Sequence, residues 1–555
     1  MTSIDTNKRP TLCKVTIMTT GTRGDIQPFV AIGVALKRAG YAVRVMTQPS
    51  ETHATLLNDF DLEYVPFGID IDRFMREDED ARKSMETGDT LNFFKCIAST
   101  IDNNTLATCK PFYDEFIAGE GEHHRPDFLL VSFLNRYFGL YAKHVLKIPT
   151  LEIKLQHWVF DDPTRAPMGM PTLPMGMHKL IQTKLMVPQD YKNFQKFHKC
   201  IADIIVSQND TKTKTPSSFS DEELSTMCLD DFLLYDQIIE SEVSHSPLLP
   251  ILICQSPIFK DVLHPTLPSS QNLRFVGPAI IEKNDQIGGD AQSFGNDPEN
   301  RRMQEFIASN VERKPVYMGW GSMIRKSTQE MAIFAVESLM MSNKRGIILG
   351  GSAGLSMEVL EDAVAASNDT NNDYGGKQII DYATDNVIFV QKAPHEWLFP
   401  QVSLTVHHGG AGTLNASLRS GVPTIVTPVF GDQYDNSYAV QKLGVGIGFE
   451  QQLQKIDATD LSKAIVAVVN DPAIATRAKE VGDEIRKECG CRAIVEEVEK
   501  YWIEDVTTGR LFADIKDWKL ATKKIKSDKE SKTLRNRVMV GSVLAVVASI
   551  AVLVN

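Results

Sequence analysis

Apolar positions in the first half of the chain fall in short runs separated by stretches with helical spacing. Residues 15–19 and 42–47 are rich in β-branched side chains and predict strands. Between them, residues 28–39 place apolar side chains at helical intervals, and Gly40 closes the run. Residues 127–133 and 149–154 predict further strands. This alternation implies a parallel sheet covered by helices on both faces. A second series starts at residues 315–319 and continues through 345–349, 386–390, 402–406 and 424–429. Residues 277–300, rich in Gly, Asn and Asp, lie between the two series. The pattern therefore predicts two α/β domains of comparable size with a cleft between them: residues 11–280, a linker at 281–300, and residues 301–500. Residues 209–220 are polar and predict a surface loop, and no repeat of solenoid length is visible.

The end of the chain has a different pattern. Residues 501–537 predict a helical, basic tail, and residues 519–537 hold eight basic side chains against two acidic ones. Residues 538–554 follow, 17 positions without a charge. As a helix they would be about 25 Å long, the lower limit for a bilayer core. The expectation is a single-pass tail anchor with the domains held in the cytosol, most naturally on the endoplasmic reticulum. The alternative is a buried helix, but Ser542 and Ser549 make too weak a polar stripe for one. Asp5, Lys8, Arg9 and Pro10 interrupt the start of the chain, so no secretory signal is expected. The Asn-x-Ser/Thr triplets at Asn103, Asn209, Asn368 and Asn415 then carry no expectation of glycosylation.

Composition narrows the classes. The 555 residues are 43% apolar and 23% charged, which excludes a disordered, collagen-like or polytopic membrane chain. A net charge of −12 argues against a nucleic-acid partner, which calls for a basic face. The eight cysteines are scattered, and Cys489 with Cys491 lacks the second cluster a structural zinc site requires.

The strongest candidate chemistry lies at the end of the strand 402–406. There the chain reads His407-His408-Gly409-Gly410-Ala411-Gly412-Thr413, and a helix is predicted from residue 414 to 420. A Gly-rich turn lets the backbone approach a bulky anion, and a helix start offers N–H donors and a positive dipole end. Thr413 adds a hydroxyl, and a neutral His408 can hydrogen-bond a phosphate oxygen. The turn lacks the Gly-Lys-Ser/Thr ending of a P-loop and the acidic residue of a dinucleotide site. Asp432 and Gln433 follow the next strand and suit sugar hydroxyls. In the first half, Gly21-Thr22-Arg23-Gly24-Asp25-Ile26-Gln27-Pro28 makes a similar strand-to-helix entry. Asp25 would cap the helix there, or accept a proton from a hydroxyl nucleophile in the cleft.

GTRGDIQPFVAIGVALKRAGYAVRV (residues 21–45), VYMGWGSM (316–323) and KAPHEWLFPQVSLTVHHGGAGT (392–413) together resemble the sterol 3-beta-glucosyltransferases and related antibiotic glycosyltransferases. Thr22 and Ile26 stand where that family usually has Ser and Val. The resemblance implies a GT-B fold, two Rossmann-like domains with the donor held mainly by the second. It also implies an inverting transfer that needs no metal and no cofactor, since the UDP-sugar is itself a substrate. By resemblance Asp25 is the general base; His157, a lone histidine outside the matched motifs, is a second candidate or a structural residue. Gly21, Gly321, Ser322, Ala393, Pro394, His395, His408, Gly410, Ala411, Gly412, Thr413, Asp432 and Gln433 are the expected UDP-sugar residues.

The acceptor is expected against the first domain. Residues 162–167 are similar to the family's T-R-A-F-P stretch without its Phe, so Trp158, Phe160, Thr164, Arg165 and Met168 are the acceptor candidates. The sterol enzymes usually carry Pro-Phe-Trp after Asp-Gln, whereas Tyr434-Asp435-Asn436 stands here. The expectation is glucose transfer from UDP-glucose to the 3-hydroxyl of a sterol at a membrane surface. The alternatives are another hydrophobic or lipid alcohol as acceptor, an inactive lipid-binding or scaffold protein on the same fold, or a nicotinamide- or flavin-dependent oxidoreductase.

Overall fold

A computed structural model describes residues 13–87, 89–118, 125–157, 187–207, 251–265, 273–283, 297–366 and 376–513. The described strands form two sheets, each parallel throughout. The first contains β1 (Lys14–Met18), β2 (Ala42–Thr47), β3 (Glu63–Pro66), β4 (Phe128–Ser132), β5 (Thr150–Lys154), β6 (Ile251–Ile253) and β7 (Leu273–Phe275), in the order β3-β2-β1-β4-β5-β6-β7. The second contains β8 (Val316–Gly319), β9 (Gly346–Leu349), β10 (Val387–Val390), β11 (Leu404–His407), β12 (Thr424–Val426) and β13 (Gly446–Gly448), in the order β10-β9-β8-β11-β12-β13. In each sheet the winding reverses beside the first strand of the series, between β1 and β4 and again between β8 and β11. Such a reversal opens a crevice outside the strand ends, where ligands of doubly wound sheets bind. The short strands β3, β6, β7 and β13 went unpredicted because three or four residues carry too little periodicity.

Apolar stripes on the helices close both sheets. Helix α1 (Arg23–Arg38) lays Phe29, Val30, Ile32 and Leu36 on Val15, Ile17 and Leu130. It begins at the glycine turn, ahead of the apolar run at 28–39, and Asp25 closes a capping box there with Thr22, the capping expected of it. The Asp25 carboxylate accepts hydrogen bonds from Thr22 N at 2.8 Å and Thr22 Oγ1 at 3.1 Å. Pro28 lacks an N–H, so the helix continues past it with only the Gly24 carbonyl missing its usual donor. On the opposite face, α2 (Arg136–His144) and α3 (Val187–Ser207) pack Phe138, Tyr141, Phe194 and Phe197 against Leu129 and Val131.

The two halves also exchange helices. Helix α4 (Pro257–Leu263) packs Phe259 and Leu263 among residues of the second half. Helix α5 (Thr328–Ser342) covers the second sheet with Met331, Phe334 and Leu339. Helices α6 (Ala411–Ser420) and α7 (Gln433–Leu443) receive α4 through Leu414, Leu418 and Val440. In return α8 (Gly490–Tyr501) returns to the first sheet, where Ile494, Val498 and Tyr501 join Phe29 and Phe128. Tyr501 meets Phe128 edge-to-face at 5.7 Å. Each fully buried aromatic of this kind contributes about 2 kcal/mol of apolar burial to holding the halves together.

The expected transmembrane helix is corrected. No helix among the described residues is long and apolar enough to cross a membrane. Residues 538–554 themselves lie outside the described residues, as do 209–220 and 284–296. At 17 residues the run stands at the short end of the lengths that span a hydrocarbon core, so its composition alone made a weak case. The membrane as a partner, the tail-anchored placement and the endoplasmic-reticulum location rested on that helix and are withdrawn with it.

Candidate functional site

The site is built on the reversal point of the second sheet. Gly319 pairs with His407, so the chain leaves β8 and β11 side by side. After β8, buried Trp320 donates from Nε1 to Thr427 Oγ1 at 2.9 Å and pins the turn. Gly321 follows with φ +62°, and a Cβ there would stand 3.5 Å from the His408 ring, so this turn and the β11 turn touch.

The two histidines after β11 divide the work. His407 is buried, and its Nδ1 accepts from Gly409 N–H at 3.0 Å. Its Nε2 therefore carries the hydrogen and donates to Thr424 Oγ1 at 3.0 Å. Burial holds its pKa well below the usual value, so it is a neutral brace that shapes the turn at Gly409, where φ is +92°. His408 lies in the cleft wall. Loss of water around the ring pushes it down to about 4, against the opposing pull of the Gly319 carbonyl. Its buried Nδ1 has no hydrogen-bond partner among the described residues. A Cβ on Gly410 would stand 2.5 Å from His408 Nε2, so glycine is needed there.

Helix α6 then starts without a built-in anion. Its N-cap is Gly410, which offers no side chain, and its first turn holds no acid. The N–H groups of Ala411, Gly412 and Thr413 have no acceptor within the helix and lie at the positive end of its dipole. Opposite stands the start of α1: a Cβ on Gly412 would be 3.7 Å from the Gly24 carbonyl. Asp25 is close enough to raise the pKa of Asp432. Burial is the larger cause and Asp435 adds to it, and together they push Asp432 up to about 7. Gln433 accepts with Oε1 from Val429 N at 2.8 Å and Phe430 N at 3.3 Å, so a ligand would meet its amide N–H groups.

The remaining expected residues fall as follows. His395 donates to or accepts from Tyr317 OH at 3.2 Å and stacks on Phe399 at 4.4 Å, and burial pushes it down to about 4. Ala393 packs against the same core cluster, and Pro394 is the N-cap of the short helix that starts at His395. Trp397 packs with the core beside Met303 and Tyr317. Gly21 has φ +138° and makes room for Asp25, whose Oδ2 would lie 2.4 Å from a Cβ there. His157 is buried and hydrogen-bonded to Asn436 at 2.9 Å. Trp158, Phe160, Thr164, Arg165 and Met168 lie outside the described residues. Sequence reading gave no role to Asn436, Asn135 or Gln48. Asn135 donates to Thr20 Oγ1 at 3.1 Å, and Gln48 Oε1 accepts from Gly21 N at 3.2 Å. Their partners are remote in sequence, so no local signal marks them. No group of three or more His, Cys, Asp and Glu among the described residues is arranged to hold a metal ion.

Residues 15–125 match the glycosyltransferase family 28 N-terminal domain, and residues 370–501 match the erythromycin biosynthesis protein CIII-like C-terminal domain. The chain is 24% identical over 492 residues to a sterol 3-beta-glucosyltransferase of Cryptococcus neoformans, a match that covers 88% of this chain and 27% of that protein. The chain is a GT-B relative of the sterol 3-beta-glucosyltransferases. A UDP-sugar-dependent glycosyltransferase 52 of Dictyostelium discoideum is 25% identical, over 88% of this chain and 26% of that one. The chain thus spans about a quarter of the length of these curated relatives. Among solved structures, the kitacinnamycin glycotransferase superposes with a TM-score of 0.54 at 16% identity, covering 88% of this chain and 99% of that one, a likeness of fold.

Proposed function

We propose that the protein transfers glucose from UDP-glucose to the 3-hydroxyl of a sterol, with inversion at the anomeric carbon. The observation that carries the reading is the pair of opposed helix starts. The α6 start has open N–H groups beside neutral His408, and the α1 start facing it presents the Asp25 carboxylate. The diphosphate sits on the N–H groups of residues 411–413, with His408 and the Gly321–Ser322 turn alongside. These donors stabilise the charge that develops as UDP departs. Asp432 and Gln433 hold the sugar hydroxyls. Thr22 orients the Asp25 carboxylate, which takes the acceptor proton late, as oxygen bonds to carbon. The carbohydrate leaves inverted because attack comes from the face opposite the diphosphate.

Sterol as the acceptor follows the relatives' names, and Tyr434-Asp435-Asn436 in place of Pro-Phe-Trp favours another hydrophobic alcohol as the second reading. Incubation with UDP-glucose and a sterol mixture, followed by mass spectrometry, tests both. A sterol hexoside with release of UDP is the expected product. Hexose found only on other alcohols selects the second reading, and UDP release on no acceptor of either class overturns the proposal.

A further inference from the structure

The turn that carries the donor groups is held from the other half of the molecule. Asn436, on α7, donates from Nδ2 to the Gly409 carbonyl at 2.7 Å. A carbonyl only accepts, so the orientation of the Asn436 amide is fixed with Oδ1 on its other side. That oxygen lies 2.9 Å from Nε2 of His157, just beyond β5. An amide oxygen also only accepts, so His157 Nε2 carries a hydrogen and donates it. The imidazole is held in place: it stacks on Phe259 of α4 with centroids 5.1 Å apart and planes at 15°. The His157 carbonyl accepts from His264 Nε2 at 2.9 Å. His157 and Asn436 are 2% and 1% exposed, which makes this a dry contact between the halves. Gly409 and Gly410 give the turn little stiffness of its own. Its shape is set by His407, which holds the Gly409 N–H, and by Asn436, which holds the Gly409 carbonyl.

We infer that His157 is a positioning residue: through Asn436 it fixes Gly409, and so the first half sets the geometry of the diphosphate-holding turn in the second. The inference rests on the nucleotide-sugar reading above. It gives His157 a different task from the base that the sequence suggested. A base presents a lone pair to the acceptor hydroxyl; with Nε2 committed as a donor to Asn436, the lone pair of His157 is on Nδ1, which is itself buried. His157 also borders the segment expected to meet the acceptor. The strut therefore runs from the acceptor side to the donor turn, and tight donor binding depends on the first half being in place.

Titration of the full chain with UDP, together with steady-state kinetics, tests the inference. His157→Gln keeps an N–H donor and should leave UDP affinity and kcat within about threefold of the wild type. His157→Leu should weaken UDP binding about tenfold and raise KM for the donor more than it lowers kcat. In an Asn436→Leu background, itself weakened to the same degree, His157→Leu should add nothing. Wild-type UDP affinity in His157→Leu overturns the inference. So does a hundredfold loss of kcat in His157→Gln with loss of the acidic limb of the pH profile, the result expected of a base. If His157→Leu fails to fold, His157→Gln and Asn436→Leu decide alone. A wild-type chain that binds no UDP overturns the nucleotide-sugar reading itself, and the first titration shows that before any variant is made.

Discussion

Helices α1 and α6 start in similar places, each after a glycine turn at the end of a central strand, yet their ends are finished differently. At α1 the protein supplies its own anion: Asp25 folds back onto Thr22 and satisfies the helix start. At α6 the cap is Gly410, the first turn holds no acid, and His408 stands beside it with a buried, unpartnered Nδ1. A helix start completed by a carboxylate repels a phosphate, and one left open attracts it. In the proposed reaction the two similar turns take opposite parts, one supplying negative charge and the other receiving it.

Substitutions that exchange these characters should separate the two ends. Asp25→Asn removes the built-in charge at α1 and should lower the transfer rate by about 10³-fold while UDP affinity stays unchanged. Near-normal turnover in that variant would move the base elsewhere. Gly412→Asp places a charge in the open turn of α6, where a Cβ meets only the Gly24 carbonyl at 3.7 Å. UDP binding measured by calorimetry should weaken by roughly 30-fold, although a first-turn acid favours the helix. Unchanged affinity would mean that the phosphates bind somewhere else. His408→Ala should cost about tenfold in UDP affinity, since one hydrogen bond to a charged group is lost.

The smallest effect concerns stability. The carboxyl of Asp432 is raised from 3.8 to about 7, first by burial and then by Asp25 and Asp435, so the fold favours its neutral form. The associated stability is complete below pH 4 and is lost as the pH rises through about 7. Asp432→Asn should therefore melt like the wild type at pH 4 and roughly 2–4 °C higher at pH 8. Equal melting at both values would mean that burial and the neighbouring carboxylates do not hold Asp432 neutral.

Local features of this architecture were legible in the sequence, and long-range ones were not. The strands at 15–19, 42–47 and 402–406 and the glycine turns after them lie in contiguous residues, so spacing and side-chain type reveal them. The start of α1 was legible in the glycine turn, where Asp25 was expected to cap the helix, although apolar spacing marks only residues 28–39. The link between His157 and Asn436 joins positions 279 apart, and the return of α8 to the first sheet depends on Tyr501 finding Phe128. Neither contact leaves a periodicity in the chain. The apolar run at 538–554 marks the opposite limit, where composition alone suggested an element that no described helix supplies.

The most direct test of the account is a crystal structure of the chain with UDP bound. The account predicts the β-phosphate on the N–H groups of residues 411–413, within hydrogen-bonding distance of His408 and facing Asp25 across the cleft. A diphosphate bound at the start of α1, or away from both helix starts, would contradict it.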